Sequence, residues 1–301
     1  MDKMNQHEKI RKSVSQSYAQ AITTGRGCCS GGSVSQGNLA KLAGYTPAEL
    51  NSLPPAVMAC SFGCGNPLAF SEVHEGEVVL DLGSGAGIDI LLAAKMVGPT
   101  GRVIGVDMTD EMITQARQNI TAAGLSNVEV RKSLIEQLPV ESGTVDWVIS
   151  NCVINLSPEK SKVFAEIARV LKPGGQLRIS DIVALDLPTW VRQDTKLYCN
   201  CLAGAIREEE YLQGLRDAGL REVAVRERLV YNTSELLGLV AACEPWAADG
   251  SVSRDAASEG SPLPLAAQGC CGPAGGHPDL GARVAAELVG KVWSALFVAV
   301  R

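Results

Sequence analysis

The stretch Val78-Val79-Leu80-Asp81-Leu82-Gly83-Ser84-Gly85-Ala86-Gly87, continued by an apolar-rich segment from Ile88 to Met96, decides the fold. Val78 to Leu82 reads as a short buried strand, the glycines as a tight turn, and Ile88 to Met96 as a helix. Working outward, Arg102 to Val106 is a second buried-type strand. Asp110 to Ala123 places Met112, Ile113, Ala116 and Ile120 on one face and stops at Gly124, as an amphipathic helix does. Val128 to Arg131, Val145 to Ser150 and Leu177 to Val183 complete the strands. Before the last of them the spacing predicts a helix with Ser157 as its cap, Pro158 in its first position and Lys172-Pro173-Gly174-Gly175 as its stop. Strands alternating with helices imply a sheet covered on both faces: a doubly wound, mostly parallel α/β domain over residues 76–232.

The flanks read differently. Residues 1–75 form an N-terminal appendage, with a polar helix from Gln6 to Thr23, a Gly/Ser/Cys-rich loop from Gly25 to Gly37, a short helix from Thr46 to Asn51 and loop chemistry from Phe62 to Pro67. Residues 233–301 form a linker and tail. The linker, 245–281, is rich in Ala, Gly, Ser, Asp and Pro, and a helix is expected over 279–300.

Of the 301 residues 46% are hydrophobic and 20% charged, the balance of a soluble globular chain. A net charge of −6 offers no field to hold nucleic acid or an anionic membrane, and aromatics at 4% leave few stacking platforms. The polar N-terminus carries no secretory signal. The most apolar late segment, Leu280 to Val300, is interrupted by Arg283, Glu287 and Lys291, so no membrane span is expected. A cytoplasmic monomer is the expectation. In that setting the ten cysteines are ligands, reactive thiols or small buried hydrophobes rather than a disulfide framework. They form no CxxC pair, and His7, His74 and His277 lie far apart, which disfavours a zinc site.

The strand–GSGAG–helix junction brings bare backbone and unpaired helix N–H groups close to a ligand. The dinucleotide fingerprint GxGxxG is not met, since Ile88 occupies its third glycine position, and this disfavours a nicotinamide enzyme. Asp81, just before the turn, would repel a pyrophosphate but suits the cationic amino group of a methionine moiety. Asp107, at the end of the next strand, can accept both hydroxyls of an adenosine ribose. The bland alternative is a tight turn followed by an aspartate capping a helix. The pattern favours S-adenosylmethionine.

At this point a resemblance is plain. Val79 to Asp107, with Leu134-Ile135-Glu136-Gln137-Leu138-Pro139, resembles the class I S-adenosylmethionine-dependent methyltransferases. The resemblance implies that Gly83, Ser84, Gly85, Asp107, Met108, Ile135 and Glu136 line a cofactor pocket. Three further segments, Phe62-Gly63-Cys64-Gly65, Ser150-Asn151-Cys152-Val153-Ile154-Asn155-Leu156 and Cys199-Asn200-Cys201-Leu202-Ala203-Gly204-Ala205, are similar to those of the arsenite methyltransferases. The resemblance covers roughly 60–230.

That family implies Cys64, Cys152 and Cys201 as ligands of trivalent arsenic, and Asn151 beside the methionine part of the cofactor. Arsenic(III) is soft and thiophilic, and three thiolates leave its lone pair free to attack a sulfonium methyl. The nucleophile has no proton to lose, so catalysis would rest on positioning, and the sulfonium would favour neighbouring thiolates. No metal cofactor is implied, because arsenic, as arsenite or its thiol conjugate, is the substrate. If 199–201 is helical, residues two apart point away from each other and only one of Cys199 and Cys201 faces the pocket; the family match favours Cys201. The family also implies an upstream cysteine that pairs oxidatively with a pocket thiol, here Cys28 or Cys29, with thioredoxin or glutathione as reductant. Cys270-Cys271 resembles vicinal pairs of some members. Cys60, Cys199 and Cys243 read as structural. Two other functions compete: methylation of a small quinone- or sterol-type acceptor, which needs neither Cys64 nor Cys201, and metalloid sequestration without catalysis, which needs no cofactor motif.

Overall fold

The computed structural model describes residues 3–23, 45–51, 53–54, 57, 63–69, 71–241 and 280–301. Two helices, α1 (Lys3–Thr23) and α2 (Pro47–Asn51), precede a regular alternation: β1 (Val78–Leu82), α3 (Ile88–Val97), β2 (Arg102–Asp107), α4 (Asp110–Ala122), β3 (Val128–Lys132), β4 (Val145–Asn151), α5 (Lys160–Val170) and β5 (Leu171–Ala184). Short helices α6 (Thr189–Arg192) and α7 (Thr195–Cys199) lead to α8 (Glu208–Asp217), β6 (Arg221–Val230), α9 (Thr233–Ala241), α10 (Leu280–Glu287) and β7 (Val292–Val300).

The strands make one seven-stranded sheet in the order β3-β2-β1-β4-β5-β7-β6. Pairing is parallel from β3 to β5, and β7 runs antiparallel to both β5 and β6. Successive side chains of β1 serve opposite faces, as strand geometry requires. Val79 joins Ile90, Leu91, Ile113 and Ala116 of α3 and α4. Leu80 and Leu82 join Val163, Phe164 and Ile167 of α5. A third cluster gathers Val14 of α1, Ile182 and Ala184 of β5, Leu202, Val284 of α10 and Val292 of β7. No described helix is long and apolar enough to cross a membrane.

The doubly wound, mostly parallel sheet is the expected one, but its C-terminal strand is not. The helix expected over 279–300 ends at Glu287; after Gly290, at φ 75°, the chain becomes β7. Six of the nine residues of β7 are buried. A strand covered on both faces loses the alternation that separates strand from buried helix. The α/β domain drawn over 76–232 therefore also takes in 292–300. A smaller correction concerns the helix after β4, which starts at Lys160 and ends at Val170; Lys172 to Gly175 belong to β5. The linker falls outside the described residues apart from its last two positions. Cys28, Cys29, Cys60, Cys243, Cys270 and Cys271 also lie outside them.

Phe297 is fully buried and stacks on Tyr211 with ring centroids 4.1 Å apart. Phe297→Ala is expected to cost about 3–5 kcal/mol in urea denaturation. Val289→Ala, at a side chain 40% exposed, should stay within about 0.5 kcal/mol. Equal, small effects would show that the chain end is not part of the sheet.

Candidate active site

β1 and β4 are parallel neighbours, and from this pair the chain extends to β2 and β3 on one side and to β5 on the other. Such a switch point opens a crevice at the carboxyl ends of the strands. The turn after β1 bends over β2, with the N–H groups of Gly83 and Ser84 both donating to the carbonyl of Val106. Gly83 has φ 69°, and a Cβ there would come within 2.4 Å of Val153, so no other residue fits. The resulting cleft encloses about 940 Å³, part of it open solvent, in the range of small-molecule sites. Gly83, Ser84, Gly85, Asp107, Met108, Ile135, Glu136 and Asn151 all line it. Asp81 is 2% exposed and buried beside it.

Three carboxylates crowd this region. Asp107 accepts from the N–H of Gly85 at 3.0 Å and of Thr109 at 2.9 Å, so it caps the turn into α4 and lines the cleft at once. Burial raises its pKa, and those backbone donors hold the rise back. Asp81 is pushed well above the carboxylate range, first by burial and then by the charges of Asp89 and Asp107. Asp89, in the first turn of α3, is raised by burial to about 6, with Tyr45 and Asn151 opposing the rise.

Asn151 ties the two halves of the site together. Its side-chain oxygen accepts from the N–H groups of Cys64 at 3.0 Å and Gly65 at 3.3 Å. Its amide nitrogen donates to the Gly65 carbonyl at 2.6 Å, to the Tyr45 hydroxyl at 3.0 Å and to Asp89 at 3.3 Å. A Cβ on Gly63 would fall 2.3 Å from that amide, which explains the glycine.

The thiols converge at the β4–β5 side. Cys64 and Cys152, 88 residues apart, are joined in a disulfide. Their sulfurs and a carboxylate oxygen of Asp181 lie within 4.8 Å of one another. The thiol of Cys201 donates to the Cys152 carbonyl at 2.6 Å. Cys152 (φ 56°) and Cys201 (φ 63°) are two of four non-glycine residues with positive φ among those described. That conformation costs about 1–2 kcal/mol for an L-residue and clusters at functional sites. Cys199 is also buried, but its surroundings differ: the hydroxyls of Ser13 and Ser17 on α1 act on it, and the Tyr18 hydroxyl donates to its carbonyl.

Beneath the thiols lies a buried polar group. Asp181, fully buried, accepts from the Asn155 side chain at 2.8 Å, the Ile182 N–H at 2.9 Å and the Tyr211 hydroxyl at 3.2 Å. Burial raises its pKa to about 7, against the pull of Lys160. Burial lowers that lysine to about 8, and the charges of Asp181 and Cys201 oppose the fall.

Sequence reasoning did not find Tyr45, Asp89, Asp181 or Lys160, nor the part played by α1. Arg11, Val14 and Tyr18 of that helix line the cleft. The signal was present: Ile10, Val14, Tyr18 and Ala21 fall at helical spacing on one stripe. Glu136 sits in the cleft, yet its carboxylate is occupied, accepting from Arg11 at 3.0 Å and from the Ser157 hydroxyl at 2.7 Å.

Because the folded-state pKa of Asp81 is raised, its contribution to stability is present below the unfolded pKa and lost as pH rises through the folded one. Asp81→Asn should therefore melt a few degrees higher than wild type at pH 7 without ligand, and the gap should close near pH 4. A lower melting point at pH 7 would mean that the carboxylate stabilises the fold. Gly63→Ala should displace the Asn151 amide and free the Cys64 loop, raising the rate of disulfide reduction by dithiothreitol severalfold. An unchanged rate would remove Asn151 as the clamp.

Residues 73–219 match the family model described as a methyltransferase domain. An arsenite methyltransferase of Halobacterium salinarum is 42% identical over 72% of this chain and 59% of its own. One from Aquipseudomonas alcaligenes is 38% identical over 65% of each. The chain thus spans under two thirds of the length of these relatives. Among solved structures, an arsenic(III) S-adenosylmethionine methyltransferase from Chlamydomonas reinhardtii superposes with a TM-score of 0.63 at 30% identity, over 84% of this chain and 72% of that one. With a GSGAG cleft and cysteines meeting at its β4 side, the chain belongs to the arsenite methyltransferase family of class I S-adenosylmethionine-dependent methyltransferases.

Proposed function

We propose that the protein methylates arsenite, holding As(III) on the thiolates of Cys64, Cys152 and Cys201. The observation that carries this reading is the meeting of three cysteines, from segments far apart in sequence, at one side of the cleft. The cleft suits a cationic nucleoside. The Ser84 hydroxyl is buried with no hydrogen-bond partner, and the neighbouring charges acting on Asp81 are acidic. Gly83, Ser84, Gly85 and Asp107 would hold the adenosyl end of S-adenosylmethionine, with Met108 and Ile135 against its base. When bound, the donor supplies an electrophilic methyl group on a sulfonium.

The chain's own residues do the rest. The Cys64–Cys152 disulfide cannot ligate arsenic, so a thiol reductant of the thioredoxin or glutathione type must first deliver two electrons and two protons, becoming a disulfide itself. The three thiols then replace the three hydroxyls of arsenite, each exchange releasing one water. Thiolate ligation leaves the arsenic lone pair free, so no general base is required. Positioning is the main contribution, with the strained backbone at Cys152 and Cys201 fixing two of the ligands in advance. As the lone pair forms an arsenic–carbon bond, the methyl–sulfur bond breaks and S-adenosylhomocysteine leaves; two of the three thiolates then close as a disulfide, which returns two electrons to arsenic. Two waters supply the hydroxyls of the departing methylarsenous acid, one of their protons going to the third thiolate and one to solvent, and the reductant reopens the disulfide.

The test is transfer of label from methyl-labelled S-adenosylmethionine to arsenite with a thiol reductant, comparing wild type with Cys64→Ser, Cys152→Ser and Cys201→Ser. Methylarsenicals from the wild type, reduced at least a hundredfold in the Cys152 and Cys201 variants, are expected. Full turnover in all three variants, or no arsenic product despite tight donor binding, would overturn the reading and direct attention to small organic acceptors.

A further inference from the structure

The cleft runs across the strand ends, from Asp107 at the end of β2, past Gly83 at the end of β1, to Asn151 at the end of β4. The thiols lie on the β4 side. A donor whose ribose meets Asp107 must extend its methionyl part toward Asn151 if its methyl is to reach them. At that end the carboxylate that lines the cleft is Asp89, whereas Asp81 is buried beside it. We propose that Asp89 binds the α-ammonium of the donor's methionyl end, the role that the sequence pattern assigns to Asp81.

Three observations support the assignment. Asp89 is 4% exposed and held from two directions, by the Tyr45 hydroxyl at 2.7 Å and by the Asn151 amide, so its carboxylate is fixed before any ligand arrives. Those donors occupy one lone pair on each oxygen, and a carboxylate accepts about four hydrogen bonds, so room is left for an ammonium. The groups that act on it besides these are Glu49 and Asp81, both acidic. Burial raises Asp89 only to about 6, whereas burial and the charges of Asp89 and Asp107 push Asp81 well above the carboxylate range, so Asp89 is the more readily ionised of the pair and the better partner for a cation.

The inference deepens the functional reading above, and its test needs no arsenic. Binding of S-adenosylmethionine, S-adenosylhomocysteine and 5′-methylthioadenosine to the full chain is measured by calorimetry for wild type, Asp89→Asn and Asp81→Asn. The first two ligands carry the α-ammonium and the third lacks it. Asp89→Asn should weaken the first two about tenfold or more and leave methylthioadenosine within about twofold, which also shows that the variant is folded. Asp81→Asn should lose less than Asp89→Asn. An equal loss for all three ligands, a loss confined to S-adenosylmethionine, or a selective loss in Asp81→Asn with Asp89→Asn intact would each overturn the proposal. If arsenite proved not to be a substrate, these binding results would stand unchanged.

Discussion

Strands β1 and β4 run parallel and adjacent, Leu82 beside Ser150, and everything at the site depends on that pairing. The chain leaves β1 toward β2 and leaves β4 toward β5, so the loops above the pair diverge and cannot fill the space between them. Gly83 turns into one side of this gap and Asn151 into the other. Because both strands are buried on both faces, a register slip would bury Asp81 among the apolar residues of the opposite face. The hydrophobic pattern of the core therefore sets where the polar chemistry lies.

Much of this was legible in the sequence because it is local. The strand at 78–82 and the glycine turn announce themselves within ten residues, and the ends of the other parallel strands fell within a residue or two, except for β5. Cys64, Cys152 and Cys201 stood out because the segments around them resemble a family, not because their spacing says they meet. Their proximity is a tertiary fact, and so is the disulfide across 88 residues. Three things stayed hidden for physical reasons. β7 is apolar on both faces and so has no period to read. Asp89 looks like any acidic residue at a helix start, and only folding brings Tyr45 and Asn151 to it. Asp181 looks like a polar interruption of a strand until Lys160, Asn155 and Tyr211 are packed around it.

The site also concentrates local costs that the rest of the fold must offset. Cys152 and Cys201 adopt the left-handed backbone conformation, Asp81, Asp89 and Asp181 are buried and Asp107 is half-buried, and all four carboxyl groups have raised pKa values. Each works against the stability of the ligand-free protein, and a bound cation or a thiophilic metalloid would relieve part of that burden. A cleft arranged in this way gains stability from ligands that carry the right charge and softness.

Ser294 of β7 lies with its hydroxyl 3.8 Å from the Cys64 sulfur, across 230 residues of chain. Contacts this distant are slow to form, because loop-closure entropy must be met before packing repays it. Until β7 enters the sheet, β5 has an open edge and the Cys64 segment has no wall behind it. During synthesis both Cys64 and Cys152 emerge well before Ser294, so the two thiols share an unfinished pocket for as long as that strand is missing. The Cys64 segment therefore gains its wall last, only when β7 has closed the sheet between β5 and β6.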